Sequence, residues 1–210
     1  LCFTAQLPAS ANDPIADPQA VVICGNARFT VLTSRMIRME WSPDASFEDR
    51  ATLAVVNRCL PVPEFSVKKK GKGVTIKTKD LTLNYSGGEF TPESLTVTLK
   101  LAGKKVCWHY GDSDPDNLLG TTRTLDGCRG FDMMEHPDHN DPFEQGVVSR
   151  SGWAVVDESG RPVYEKVEED WDKWIVSRED KESKDLYFFG YGHDYTAALG
   201  DFVKVAGRIP

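Results

Sequence analysis

Apolar residues recur at every second position through much of the first half of the chain. From Arg35 to Trp41, Ile37, Met39 and Trp41 share one face while Met36, Arg38 and Glu40 share the other, the period of two of a half-buried strand. The same alternation puts Val74 and Ile76, then Leu81, Leu83 and Tyr85, then Leu95, Val97 and Leu99, on inward faces. Val21 to Cys24 is a short apolar run closed by Gly25-Asn26, a two-residue hairpin signal, and Ala27 to Thr33 is its return strand with Phe29 and Val31 on one face. Thr52 to Val56, the segment opened by Phe65-Ser66-Val67, and Val106 to Tyr110 read as further strands. Nine or ten short strands are thus predicted before residue 111, with almost no helical periodicity. The pattern is all-β, an antiparallel β-sandwich.

The stretch from Asn117 to Asp157 departs from this regularity. It opens with Asn117-to-Gly127 (NLLGTTRTLDG), passes through a segment rich in Asp, His and Pro, and closes with Gly146-to-Asp157 (GVVSRSGWAVVD). Val147 to Val156 reads as a framing strand, in which Trp153 alternates with Val155 and is expected to point into the core. Asp172 to Val176 and Asp185 to Tyr191 read as a pair of strands joined by a solvated charged turn. One helix follows, Tyr195 to Ala206, with Asp194 as its N-cap, Gly207 just past its end, and Leu199, Phe202 and Val203 at helical spacing.

Composition narrows the partners. The 210 residues carry a formal net charge of -7, which argues against a nucleic-acid partner. No apolar run approaches the roughly 18 residues of a membrane span, so no membrane partner is expected. The lysines around Lys68-Lys69-Lys70-Gly71-Lys72 read as a solvated hairpin tip that protects a sheet edge rather than as an anion site. Leu1 to Ala11 ends in Ala9-Ser10-Ala11, similar to the tail of a secretory signal, so a secreted or periplasmic protein is expected. None of the five cysteines forms a CxxC pair, which disfavours zinc. Cys24 and Cys107 fall in strands and are expected as small buried residues; no disulfide and no cofactor is expected.

Asn117-to-Gly127, Gly146-to-Ser159 and Tyr187-to-Pro210, in this order, resemble family 31 of the glycoside hydrolases. The last is similar to the segment leading from that family's N-terminal sandwich into its catalytic barrel. The resemblance implies a galactose-mutarotase-like sandwich over 21–191. Residues 1–20 read as a signal remnant and a linker marked by Asp13-Pro14 and Asp17-Pro18, and the resemblance implies a helical connection over 192–210 to a (β/α)8 barrel beyond this chain. The family's retaining α-glycosidases use two carboxylates about 5–5.5 Å apart, which the resemblance places on the barrel. No residue here matches the nucleophile motif, and Trp171-Asp172-Lys173 is only a superficial echo of it. The chain is therefore expected to have no catalytic residue and no hydrolytic activity alone. Its partners would be the barrel of the same polypeptide and an oligosaccharide substrate.

The family's sandwich sends one loop over the barrel mouth, where a carboxylate can accept hydrogen bonds from vicinal sugar hydroxyls. The substrate-binding candidates are Asp126 and Asp141, each of which also suits a turn before Gly127 or Pro142. His136, Asp138, His139 and Asp141 have the donor types of a metal site, but Pro137 and Pro142 favour a turn-rich loop, and no metal is expected. Arg123 and Arg150 are expected to hold the loop by carboxylate pairs. Glu168-Glu169-Asp170 reads as solvated surface, and Trp171, which precedes the alternating run, is expected to be exposed. An apolar patch around Tyr187 to Tyr191 and the helix is expected to be exposed, where a barrel would dock. Two other readings stay open: a free-standing carbohydrate-binding module, and an immunoglobulin-like interaction domain, the latter lacking the Cys-Trp-Cys spacing.

Overall fold

In the computed structural model, which describes residues 12–121, 144–165, 175–178 and 182–207, two five-stranded antiparallel sheets face each other. The first has the order β1 (Val21–Cys24), β2 (Ala27–Val31), β3 (Met36–Trp41), β12 (Lys184–Phe189), β9 (Ala154–Asp157). The second is a meander of β4 (Phe65–Lys70), β5 (Gly73–Thr78), β6 (Leu81–Tyr85), β7 (Leu95–Leu101) and β8 (Lys104–His109). A 3-10 turn at Pro18–Ala20, a two-stranded ribbon of β10 (Val163–Tyr164) with β11 (Ile175–Val176), and the helix Tyr195–Ala206 complete the described elements.

The core lies between the sheets, where the predicted inward faces meet. Phe29, Ile37 and Met39 of the first sheet pack on Ile76, Leu83 and Val97 of the second. Trp153 is buried there as expected, its ring 6.3 Å from that of Trp108, which lies 5.3 Å from Phe188.

The first sheet is buried on its other face too, by a layer that the alternation of Arg35 to Trp41 does not reveal. The helix turns Ala198, Phe202 and Val205 onto Met36, Phe189 and Tyr191. Small Ala198 at the contact lets the helix axis approach the sheet. The apolar patch expected around Tyr187 to Tyr191 is therefore not exposed: Tyr187, Phe188, Phe189 and Tyr191 are all buried by this chain itself. The helix leaves Leu199 and Val203 outside, 40% and 48% exposed, one turn apart on one face.

Three strand expectations change. Among the described residues eight strands precede residue 111, not nine or ten. Thr52 to Val56 is not a strand: the Thr52 hydroxyl accepts from Val55 N–H at 3.1 Å while Thr52 N–H donates to the Val55 carbonyl, closing a turn that leaves only a bridge from Thr52 to Val163. The two late strands do not pair with each other. Both edges of β12 are taken, by β3 and β9, so β11 pairs with β10 instead. The framing strand is also shorter, since β9 begins only at Ala154. Cys107 is exposed rather than buried, on the outward side of β8. The lysine-rich hairpin does form at a sheet edge, turning at Gly71 with φ +59.

Beyond Tyr187, toward β2, the outer face of the first sheet becomes ionic. Register places Arg28 opposite Glu40 and Glu40 opposite Asp185. Arg38, fully buried, donates both Nε and Nη2 to the Asp185 carboxylate at 2.8 Å, and Arg178 reaches the same carboxylate at 2.9 Å. Arg28 grips Glu40 with two bonds of 2.7 and 2.9 Å. Arg58 donates to the Tyr187 hydroxyl at 2.6 Å and to the carbonyls of Pro14, Asp49 and Arg50. Burial opposes the charge on Asp185, but Arg38 and then Arg178 outweigh it and hold the carboxyl well below the usual range. Burial pushes Glu40 the other way, upward, against its arginines.

Removing one partner of such a pair strands the other. Asp185→Asn is expected to lower the unfolding free energy by about 3–5 kcal/mol in urea titration, and the double variant Asp185→Leu with Arg38→Met to cost less than either single change. The Asp185 contribution is present above the unfolded carboxylate value, about pH 4, and is lost as pH falls toward its depressed folded value. Stability measured from pH 6 down to pH 2 should therefore fall less steeply in Asp185→Asn.

Candidate functional site

The segment after β8 is held by a buried carboxylate. Asp114, only 4% exposed, accepts from the Ser149 hydroxyl at 2.9 Å, the Ser151 hydroxyl at 2.8 Å and the Asn117 amide at 3.1 Å. Asn117 in turn receives the N–H of Gly146 at 2.7 Å and of Leu119 at 2.9 Å, and donates to the Gly146 carbonyl at 3.1 Å. An amide has one acceptor oxygen and one donor group, and both are used here.

These bonds form a neck. Leu118 N–H donates to Val148, Gly120 N–H to Glu144, and Val147 N–H to the Thr121 hydroxyl. Gly146 lies so close to Thr121 that a Cβ would fall 2.1 Å from its hydroxyl oxygen. Leu119 adopts φ +54, a left-handed conformation that costs a bulky residue energy and is fixed here by the bonds on either side. The two described ends, at Thr121 and Glu144, are thus held at one place. Leu118 and Leu119 stand half-exposed beside it.

A second set of bonds ties the neck to the end of β12. Gly192 N–H donates to the Gly152 carbonyl at 2.9 Å, and the His193 Nε2 lies 2.9 Å from the Arg150 carbonyl. Gly152 adopts φ +82, a conformation that residues with a Cβ rarely take, and packs on the Leu101 methyls. Arg150 acts through its backbone: it has no carboxylate partner among the described residues.

Asp126 and Asp141 fall in 122–143, outside the described residues, as do Arg123, His136, Asp138 and His139. Glu168, Glu169, Asp170, Trp171, Asp172, Lys173 and Trp174 lie outside them as well. Where the structure does bring carboxylates together, at Glu40 and Asp185, arginines occupy both. A cavity of about 670 Å³ opens beside that pair; of the other acids that line it, Glu48 is likewise bound, as hydrogen bonds from Arg50 outweigh burial and hold it below the usual range. Glu40, Glu48 and Asp185 are each held by arginines, and these pairs serve structure.

Sequence reasoning picked out the stretch but not its anchor. Asp114 precedes Pro115 and reads as an ordinary turn residue, and Ser149 and Ser151 look like loop residues. The available signal was their spacing, two hydroxyls two residues apart beside a glycine-containing turn.

Asp114→Ala would leave three donors without their acceptor. It is expected to cost on the order of 3 kcal/mol and to speed proteolytic cleavage within 122–143, read by mass spectrometry of the fragments.

No protein-family model and no curated protein matches the chain. Among solved structures it is similar to the Flavobacterium johnsoniae GH31 dextranase complexed with glucose, at 12% identity and a TM-score of 0.46, over 90% of this chain and 27% of that one. A mutant of the same enzyme complexed with isomaltotriose gives 13% identity and a TM-score of 0.47 over the same shares. The chain thus spans about a quarter of the length of these dextranase chains.

Proposed function

We propose that this chain is the N-terminal β-sandwich domain of an exported family 31-type retaining α-glycosidase, where it supports the catalytic barrel and lends a loop to the substrate site. One observation carries the reading. The three segments that resemble the family are far apart in sequence yet meet in one place: Asn117 bridges Ser149, and Gly192 and His193 bond to Gly152 and Arg150. Segments of unrelated purpose have no reason to converge on one clasp.

In this reading the bond-breaking carboxylates belong to the barrel. The sandwich contributes position. The clasp on Asp114 fixes the base of the loop, so that Asp126 or Asp141 meets sugar hydroxyls without first being ordered from a wide ensemble. The exposed Leu199 and Val203 on the helix give a barrel an apolar strip to cover.

The 210-residue chain alone is expected to leave aryl α-glucosides and isomalto-oligosaccharides intact and to bind the latter only weakly in calorimetric titration. Micromolar binding by the chain alone would overturn the reading in favour of a free-standing carbohydrate-binding module. The coding sequence beyond Pro210 should continue into alternating strands and helices with paired carboxylates; a stop codon there would sink the proposal. In the complete enzyme, Asp126→Asn or Asp141→Asn should raise KM by roughly tenfold, as for one lost charge-assisted hydrogen bond, with little change in kcat.

A further inference from the structure

Charge is distributed very unevenly along this chain. Residues 65–110, the second sheet, hold nine lysines against three carboxylates (Asp80, Glu89 and Glu93) in a protein whose net charge is -7. The fold then sorts these lysines by face. Outward positions on β4 to β8 are Ser66, Lys68 and Lys70, then Thr75 and Lys77, Thr82 and Asn84, Thr96, Thr98 and Lys100, and finally Lys105, Cys107 and His109. No carboxylate and no Phe, Trp or Tyr stands among them.

At one end this face runs into a cleft of about 560 Å³ that crosses to the first sheet at Arg35 and Gly190 to Gly192. Four lysines line it: Lys77, Lys79, Lys100 and Lys105. None of the four has an ion-pair partner among the described residues. The one acid in the lining, Asp80, is engaged by the Ser34 hydroxyl and lies 3.9 Å from Arg35, whose own guanidinium bonds Asp194. Register adds a second sign. Lys100 and Lys105 are directly opposed across β7 and β8, a like-charge pair that destabilises a sheet unless an anion lies between the two. Beside them a row of Lys77, Thr82 and Thr98 runs across three strands, offering hydroxyls next to an ammonium.

We infer that this cleft and the lysine–threonine face behind it form a binding surface for an acidic polysaccharide, one whose carboxylate or sulfate groups meet the lysines while its hydroxyls meet Thr82 and Thr98. The features present select that partner. Single-stranded nucleic acid is held by aromatic stacking, but the face carries no Phe, Trp or Tyr and the aromatic residue of the cleft, Tyr191, is buried. A membrane surface is held by apolar side chains entering below the headgroups, and the outward positions carry none. The surface is separate from the loop neck and does not depend on the proposed glycosidase role.

The test is a titration of the 210-residue chain with heparin and with polygalacturonate fragments, with dextran as the neutral comparison, at several salt concentrations. Both acidic polymers should bind, more weakly as salt rises, and dextran should not bind at this surface. Lys77→Gln with Lys100→Gln and Lys105→Gln should weaken binding about tenfold or more, as expected from three lost exposed charge contacts. Lys204→Gln, which removes a charge on the helix paired with Asp201, should leave it unchanged. Circular dichroism of the triple variant checks that it folds, and Lys100→Gln alone, which relieves the opposed pair, should be at least as stable as the parent. No binding at low salt, equal losses in Lys204→Gln and the triple variant, or tighter binding to single-stranded DNA or to phosphatidylserine vesicles would each overturn the inference.

Discussion

The pairing of Arg38 with Asp185 is the constraint on which the rest of the architecture depends. It lies across β3 and β12, at the centre of a sheet covered on both sides. Two charges so deeply buried are tolerable only in one register, since a slip of one residue would turn them into the apolar core. The segment from Ser42 to Arg58 that covers them has no strand of its own. Its carbonyls at Glu48, Asp49 and Arg50 need donors, and Arg28, Arg38 and Arg58 supply them. An irregular covering layer and a row of buried arginines are thus two halves of one solution.

That solution makes the two sheets unlike each other. The first is an inner layer, with a core on one side and the ionic network and helix on the other. It carries the rigid parts: β12 leads directly into the residues that bond to the neck and then into the helix. The second sheet has one wet face and is held by its inward positions alone. Its outer side is therefore unconstrained by folding, and its charge reflects solvent and partners rather than packing.

The sandwich itself was legible because alternation survives wherever one side of a strand is wet. β5, β6 and β7 follow it position by position. The covering layer was not legible, because Arg38 looks like a solvent-facing residue when its partner Asp185 lies 147 residues away, and Glu40 looks like one too when its partner Arg28 sits on the neighbouring strand. Thr52 to Val56 misled for a local reason, a threonine hydroxyl that satisfies the backbone within a turn. The helix was visible from its cap and its spacing, but its orientation was not. Ala198 is buried and Leu199 exposed because approach to the sheet rewards the smaller residue. At the candidate site, the stretch from Asn117 to Asp157 stood out by composition, while its dependence on Asp114 needed three dimensions.

The closed neck has a consequence for how such a protein changes over time. Because residues 117–121 and 144–149 are bonded to each other, the fold does not register the length of what is inserted between them. The entropy of closing a chain segment grows only with the logarithm of its length, about 0.6 kcal/mol for each doubling. The neck therefore works as a socket: its contents can be exchanged, extended or shortened while Asp114 and Asn117 keep the same partners. Selection is free to rewrite the sequence here without renegotiating the fold.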